Sequence, residues 1–295
     1  MTLTILYRGP LSSCNYGCVY CPFAKRKESR QELAHDRANL ERFVDWALAR
    51  RQSPLRVFFT PWGEALIRRW YQEAMVALSQ AEHVERVVIQ TNLSGDLGFV
   101  ERCDLDALAL WCTHHPEWGD AKKFVRRVLD LHNQGVRLSV GVVGFARFKQ
   151  DIERLRSALP PEIYLWINAV KRELHTLTQD DRDFFQRIDP LYPINTHHYP
   201  SQGKDCHAGQ SVISVDGDGM ARRCHFIKAP IGNIYEPGFE QALFRRPCTN
   251  ATCHCHIGYV HMDYLELDKV FGSGILERIP VQVPPALPAM TGPDV

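Results

Sequence analysis

The chain has 295 residues, 45% hydrophobic and 23% charged, enough to bury one large α/β core or two smaller ones. Lys plus Arg total 35 against 34 for Asp plus Glu, so the basic excess that marks a nucleic-acid binder is missing. No run of eighteen apolar residues occurs, so no membrane-spanning helix is expected.

The opening Met1-Thr2-Leu3-Thr4-Ile5-Leu6-Tyr7 has no basic head before a long apolar run, so no signal peptide is expected and the expected home is the cytoplasm. Thiols stay reduced there, and ten cysteines read as metal ligands rather than disulfides. A first strand is expected at 3–7. It runs into Cys14, Cys18 and Cys21, spaced Cys-x3-Cys-x2-Cys, with Tyr20 just before the last. A helix at 37–50 follows, with Leu40, Phe43, Val44, Ala47 and Leu48 at three- and four-residue spacing. Runs at 55–60, 85–91, 107–112, 137–143 and 163–168 have the Val, Ile and Phe content of strands buried on both faces. Helical patterns at 67–80 and 120–134 lie between them, the second stopping at Gly135. Such repetition demands parallel pairing, and right-handed crossovers curl the sheet toward a barrel. The count is six repeats rather than the eight of a closed barrel.

Three thiolates on one short loop grip three corners of a four-iron cluster and leave one iron open. A structural zinc site takes four protein ligands, and a closed ferredoxin-type cluster takes four cysteines. Cys14-Asn15-Tyr16-Gly17-Cys18-Val19-Tyr20-Cys21 resembles the signature of the radical S-adenosylmethionine (SAM) enzymes. The resemblance implies a [4Fe-4S] cluster whose open iron chelates the amino and carboxylate groups of SAM, with Tyr20 near the adenine. It also implies a partial (β/α)6 barrel, the repeat count reached independently above.

Chemistry in such barrels gathers on loops at the C-terminal strand ends. Pro61-Trp62-Gly63-Glu64 resembles the family's Gly-Gly-Glu segment, with Trp62 replacing the first glycine. Gly63 and Glu64 are thereby implied SAM contacts, against a plain Pro–Trp turn. Thr91 and Asn92 end the third strand, where the family places polar contacts to SAM; an Asx-type turn is the plain alternative. Gly141-Val142-Val143-Gly144 resembles the stretch beside the adenine, where Gly141 would admit close backbone approach, or it is a strand bend. Asn168 is a candidate for the ribose or the SAM carboxylate. His114, His115 and Glu117, after the fourth strand, are weak catalytic candidates for substrate contact or proton transfer. Cys103 and Cys112 read as buried, inert thiols. Arg8, Lys25, Arg26 and Lys27 read as a solvated basic loop or as contacts for an acidic substrate or reductant.

After a polar connector at 195–203 come Cys206, Cys224, Cys248, Cys253 and Cys255. Runs at 211–215 and 220–223 flank Asp216-Gly217-Asp218-Gly219, a hairpin signal. Cys206, a gap and Gly219-x4-Cys224 resemble the opening of the SPASM/twitch extension of radical SAM enzymes, and Ile231-Gly232-Asn233-Ile234 resembles its next segment. The full SPASM form needs more cysteines than remain, so the resemblance implies one auxiliary [4Fe-4S] cluster on four of these five thiols. Which of Cys248, Cys253 and Cys255 is spare stays open, with the Cys253-x-Cys255 pair favoured as ligands. A zinc site on Cys253, His254, Cys255 and His256 is the competing reading. A short helix is expected at 263–271, and an extended or disordered proline-rich tail at 279–295. The expected division is a radical SAM partial barrel at 1–200, a twitch-like domain at 201–262, and a helix with tail at 263–295.

The resemblance implies reductive cleavage of SAM to a 5′-deoxyadenosyl radical, hydrogen abstraction from a C–H bond, and electron transfer from the substrate radical to the auxiliary cluster. The expected enzyme is an oxidoreductase or a C–C or C–S bond-forming enzyme. Its substrate is a biosynthetic small molecule or peptide and its reductant a flavodoxin- or ferredoxin-type protein, with neither nucleic acid nor membrane as partner. The first strand begins at residue 3, so no fused peptide-recognition domain is expected. The alternative is a maturase of a ribosomally made peptide working with a separate recognition protein. From another class, a non-catalytic iron–sulfur redox sensor accounts for the cysteines but not for the polar strand ends.

Overall fold

The computed structural model describes residues 1–23 and 26–283; Lys25 and the stretch 284–295 of the expected tail lie outside the described residues. Strand β1 (Leu3–Arg8) leads through the cysteine loop to α1 (Arg30–Ala49). Then come β2 (Leu55–Phe59), α2 (Arg69–Ser79), β3 (Val84–Thr91), β4 (Leu108–His114), α3 (Ala121–Asn133) and β5 (Arg137–Val143). Next are α4 (Lys149–Ala158), β6 (Leu165–Asn168), α5 (Gln179–Ile188) and the short strands β7 (Tyr199–Pro200), β8 (Val212–Asp216), β9 (Met220–Arg222), β10 (Pro230–Asn233) and β11 (Thr252–Cys253). Helices α6 (His256–Tyr259) and α7 (Leu267–Phe271) follow, the latter inside the range expected for a late helix. The class is α/β with parallel strands β1 to β6, as the alternation predicts. No helix among the described residues is long and apolar enough to cross a membrane.

Two expected boundaries move for physical reasons. Helix α1 begins seven residues before its expected start because Ser29 and Glu32 form a capping box. Its first turns bury only Asp36, so hydrophobic spacing is silent there. Strand β4 runs on to His114, which places that histidine in the strand rather than on the loop after it.

The chain divides into two compact units. The first comprises residues 1–110, 134–137 and 207–246. In it β1 pairs in parallel with β2, and β2 with β3, around the fully buried Ile5, Val57 and Val87. On the other edge of β1 lies β8, also parallel, from Thr4↔Val212 to Arg8↔Asp216, and β9 and β10 continue antiparallel. The Asp216–Gly219 hairpin therefore extends the sheet of β1 and covers an edge that would otherwise be open.

The second unit comprises residues 111–133, 138–206 and 247–295, described to residue 283. Strands β5 and β6 pair in parallel from Val140↔Leu165 to Val143↔Asn168, and β7 pairs antiparallel with β11. Trp111 and Trp166 meet edge to face at 5.1 Å, and Arg278 lies 4.6 Å from the Trp166 ring. A Cβ on Gly141 would stand 2.0 Å from the Trp166 ring, so this glycine makes room for an indole of the chain itself. Gly141→Ala is expected to cost about 1–3 kcal/mol of stability by overpacking, read from urea unfolding. An unchanged midpoint would contradict this packing.

Candidate functional site

The cysteine loop leaves the C-terminal end of β1 and is fastened at three points within the first unit. At its start, Leu11 N donates to the buried Asp36 carboxylate at 3.1 Å, which also accepts from Trp70 Nε1 at 2.8 Å and Tyr71 OH at 3.2 Å. Next, Glu28 accepts from the backbone N–H and hydroxyl of both Ser12 and Ser13, and Arg68 Nη2 donates to Ser13 Oγ at 3.0 Å. Third, Gly63 lies flat against Ser13. A Cβ there would stand 1.8 Å from the Ser13 carbonyl oxygen, and Glu64 N donates to that oxygen at 3.1 Å.

Behind this seat, Glu64 is 3% exposed. Its Oε1 accepts from Leu66 N at 3.1 Å and Thr91 Oγ1 at 2.8 Å, and its Oε2 accepts from Asn92 N at 2.6 Å. No cation pairs with it among the described residues. Burial pushes its carboxyl up from 4.5 to about 7, against the pull of those three hydrogen bonds. Thr91 and Asn92 thus reach Glu64, and Asn92 Oδ1 also accepts from Ser94 N at 2.9 Å, the Asx turn of the plain reading. Asn92 Nδ2 further contacts Asn15 Oδ1 at 3.2 Å and Cys14 Sγ at 3.9 Å.

Cys18 is buried, and Cys14 and Cys21 are half-buried. Burial raises the Cys14 thiol, the Tyr16 N–H lowers it, and the charges of Glu64, Cys18 and Cys21 raise it further. Among the described residues no three His, Cys, Asp or Glu side chains close round a point as one metal ion requires. A cubane gives each thiolate its own iron, a wider spacing, and the all-thiolate donor set fits it. Trp62 lies between the Arg8 guanidinium, at 4.1 Å, and the Phe23 ring, at 4.6 Å. Thr60 Oγ1 bonds His225 Nε2 at 3.0 Å, beside Cys224.

In the second unit the three catalytic candidates face different surroundings. The His114 ring packs on Phe124 of α3 at 5.0 Å, and Glu117 pairs with Arg147 at 3.2 Å. Burial lowers His114 and His115 each to about 4. Asn168 is exposed at the end of β6. Cys112 is fully buried and Cys103 half-buried in the first unit.

Cys206, Cys248, Cys253 and Cys255 belong to the second unit and Cys224 to the first. Cys206 bridges to Met262, Cys248 exchanges backbone bonds with Gly203 and Lys204, Cys253 pairs with Tyr199, and Cys255 caps α6. His256 is buried among Trp111, Tyr259 and Phe271, whereas His254 stacks on His198 at 5.0 Å. Both imidazoles of the competing zinc reading are thus engaged in ring packing. Burial lowers Lys171 from 10.5 to about 8, with the charges of Cys255 and Cys253 acting the other way, and its Nζ donates to the Asn195 carbonyl oxygen. Glu28 and Lys171 carried no signal in the sequence, since neither stands in a motif. An open groove of about 530 Å³ between α1 and α2 contains no cysteine and lies on the outer helical layer.

No family model matches the chain, and no curated protein matches it. Among solved structures it resembles native anSMEcpe with bound AdoMet, an anaerobic sulfatase-maturating radical SAM enzyme. The TM-score is 0.53 at 14% identity, over 82% of this chain and 83% of that one. The same enzyme with bound AdoMet and Cp18Cys peptide gives 0.53 at 14%, over 83% and 82%. A looser likeness, 0.40 at 15% over 82% and 87%, is to BtrN in complex with AdoMet and 2-DOIA. At these identities the likeness to anSMEcpe is one of fold alone, an α/β fold with a large parallel sheet.

Glu64 yields a pH test. The folded chain keeps a proton on Glu64 that the unfolded chain gives up near 4.5, so stability falls as pH rises from 4.5 through about 7. The expected loss is about 3 kcal/mol at most, and Glu64→Gln should flatten the slope, read from urea unfolding of the metal-free protein. Identical slopes in the two proteins would count against this burial.

Proposed function

We propose that the chain is a radical SAM enzyme that oxidatively modifies a C–H bond of a biosynthetic small molecule or peptide. The observation that carries the reading is the Cys14, Cys18 and Cys21 loop seated on Gly63 through Ser13, with the buried Glu64 carboxyl, which has no paired cation among the described residues, linked to Cys14 through Asn92. The cysteines hold a [4Fe-4S] cluster, and SAM bound to it supplies a one-electron cleavage that begins hydrogen abstraction from the substrate.

Glu64 offers the remaining lone pair of its carboxylate to the SAM ammonium, and Thr91 and Asn92 aim that carboxylate. Gly63 brings the backbone against the cysteine loop, and Tyr20 borders the adenine. Trp62, held by Arg8 and Phe23, keeps water from the approach to the loop. Asn168 stays a proposed SAM contact, whereas the space over Gly141 is filled by Trp166. His115, neutral at pH 7, is the better placed of the two histidines for a substrate contact, because His114 is packed on Phe124.

Four of Cys206, Cys224, Cys248, Cys253 and Cys255 hold an auxiliary [4Fe-4S] cluster that accepts an electron. Cys253 and Cys255 are favoured because the Cys-x-Cys spacing puts both thiolates within reach of one cluster. A flavodoxin- or ferredoxin-type reductant and a cytoplasmic setting complete the proposal. A peptide substrate brought by a separate recognition protein is the variant form of it.

Anaerobic reconstitution should load about eight irons per chain, and the Cys14/Cys18/Cys21→Ala variant about four, with SAM cleavage lost. About four irons falling to none would remove the auxiliary cluster from the proposal. Cys14→Ala should abolish SAM cleavage, whereas Cys206→Ala should retain part of it and stop product formation; equal loss in both would contradict the division of labour.

A further inference from the structure

Strand β3 ends in a tight turn held by its own side chains. Thr91 Oγ1 accepts from Leu93 N at 2.9 Å, and Asn92 Oδ1 accepts from Ser94 N at 2.9 Å. Leu93 is buried and sits in the left-handed region with φ 55°, a conformation that side chains of its bulk rarely adopt. Such a turn persists only where its surroundings enforce it, and local strain of this kind gathers at functional sites.

The turn decides which way the Asn92 amide faces. A backbone N–H can only donate, so the amide atom facing Ser94 N is the oxygen and the other is the nitrogen. That nitrogen carries two protons. Asn15 Oδ1 accepts one at 3.2 Å, and Cys14 Sγ, at 3.9 Å, is the acceptor within reach of the other. Asn15 Nδ2 donates to Ser94 Oγ at 2.8 Å, which ties the neighbour of Cys14 to the same turn. Tyr16 N donates to Cys14 Sγ at 3.3 Å, so this sulfur faces a backbone donor and a side-chain donor. All of these residues lie in the first unit, and Asn92 is buried.

We propose that Asn92 is a positioning residue whose side-chain N–H points at the Cys14 thiolate and raises the reduction potential of the cluster on Cys14, Cys18 and Cys21. The inference rests on the radical SAM reading above. It gives Asn92 two separate tasks: its backbone N–H holds Glu64, and its amide serves the thiolate. One-electron reduction adds negative charge to the cluster and its sulfurs and moves no proton. A donor aimed at one sulfur in a poorly solvated place therefore favours the reduced form. The electron comes from the proposed reductant in the working enzyme and from the titrant in the isolated protein.

The test is an EPR-monitored redox titration of the reconstituted full chain, following the signal that Cys14/Cys18/Cys21→Ala lacks. Asn92→Ser keeps a hydroxyl for the turn but is too short to reach Cys14. It should make one-electron reduction about tenfold less favourable, a fall of about 59 mV in midpoint. Asn92→Asp keeps the turn oxygen, sets a second oxygen in place of the donor, and should lower the midpoint at least as far. An unmoved midpoint in loaded Asn92→Ser overturns the inference even where Asn92→Asp moves, because added charge alone would do that. Iron lost from this cluster in both variants overturns it in favour of a role in folding the loop. ENDOR of the reduced cluster needs no Ser variant: Asn92→Asp should lose one exchangeable-proton coupling, and retention of every coupling overturns the inference. A triple cysteine variant that lacks no signal brings down the radical SAM reading first, a different failure from an unmoved midpoint.

Discussion

The contact between the Ser13 carbonyl and the backbone of Gly63 is the constraint on which the cysteine loop depends. The oxygen occupies the place of a side chain at residue 63 and accepts the N–H of residue 64. One oxygen thus requires a glycine and fixes the residue after it. Glu28 holds the other side of the same dipeptide through four donors, and Arg68, just before α2, closes it. Ordering a loop of this length costs conformational entropy, and these contacts offset part of it.

Among the described residues Glu64, in the first unit, is a buried carboxyl with no paired cation, and Lys171, in the second, is a part-buried ammonium with no paired carboxylate. Burial without a counter-charge displaces a pKa toward the neutral form, and such groups gather where a ligand supplies the missing charge. On the proposed reading the amino group of SAM supplies the charge that answers Glu64.

Glycines and aromatic residues show how a motif differs from its physical cause. Gly63 and Gly141 both read as places where backbone approaches a ligand. The first makes room for Ser13 and the second for Trp166. Trp62 departs from the glycine expected there, and its ring is clasped by Arg8 and Phe23, which makes the departure a packing choice. Thr91 and Asn92 combine two readings, an Asx turn and a brace for Glu64.

The sequence by itself determined the thiol spacing and the strand–helix alternation, because each is a local pattern: neighbours in the chain, period two or period 3.6. Most strand bounds were legible within two residues for the same reason. The Ser29–Glu32 capping box, equally local, is missed by hydrophobic spacing because the turn it opens buries no apolar residue. Tertiary structure alone decided what lies far apart in the chain. It set β8 against β1, Glu28 on Ser12 and Ser13, Lys171 on Asn195, and His256 in the core while its near neighbour His254 stacks on His198. A lone Glu, Lys or His has no period and no required spacing, so its partner is fixed only when strands and turns have brought distant backbone together and burial leaves each polar atom in need of one.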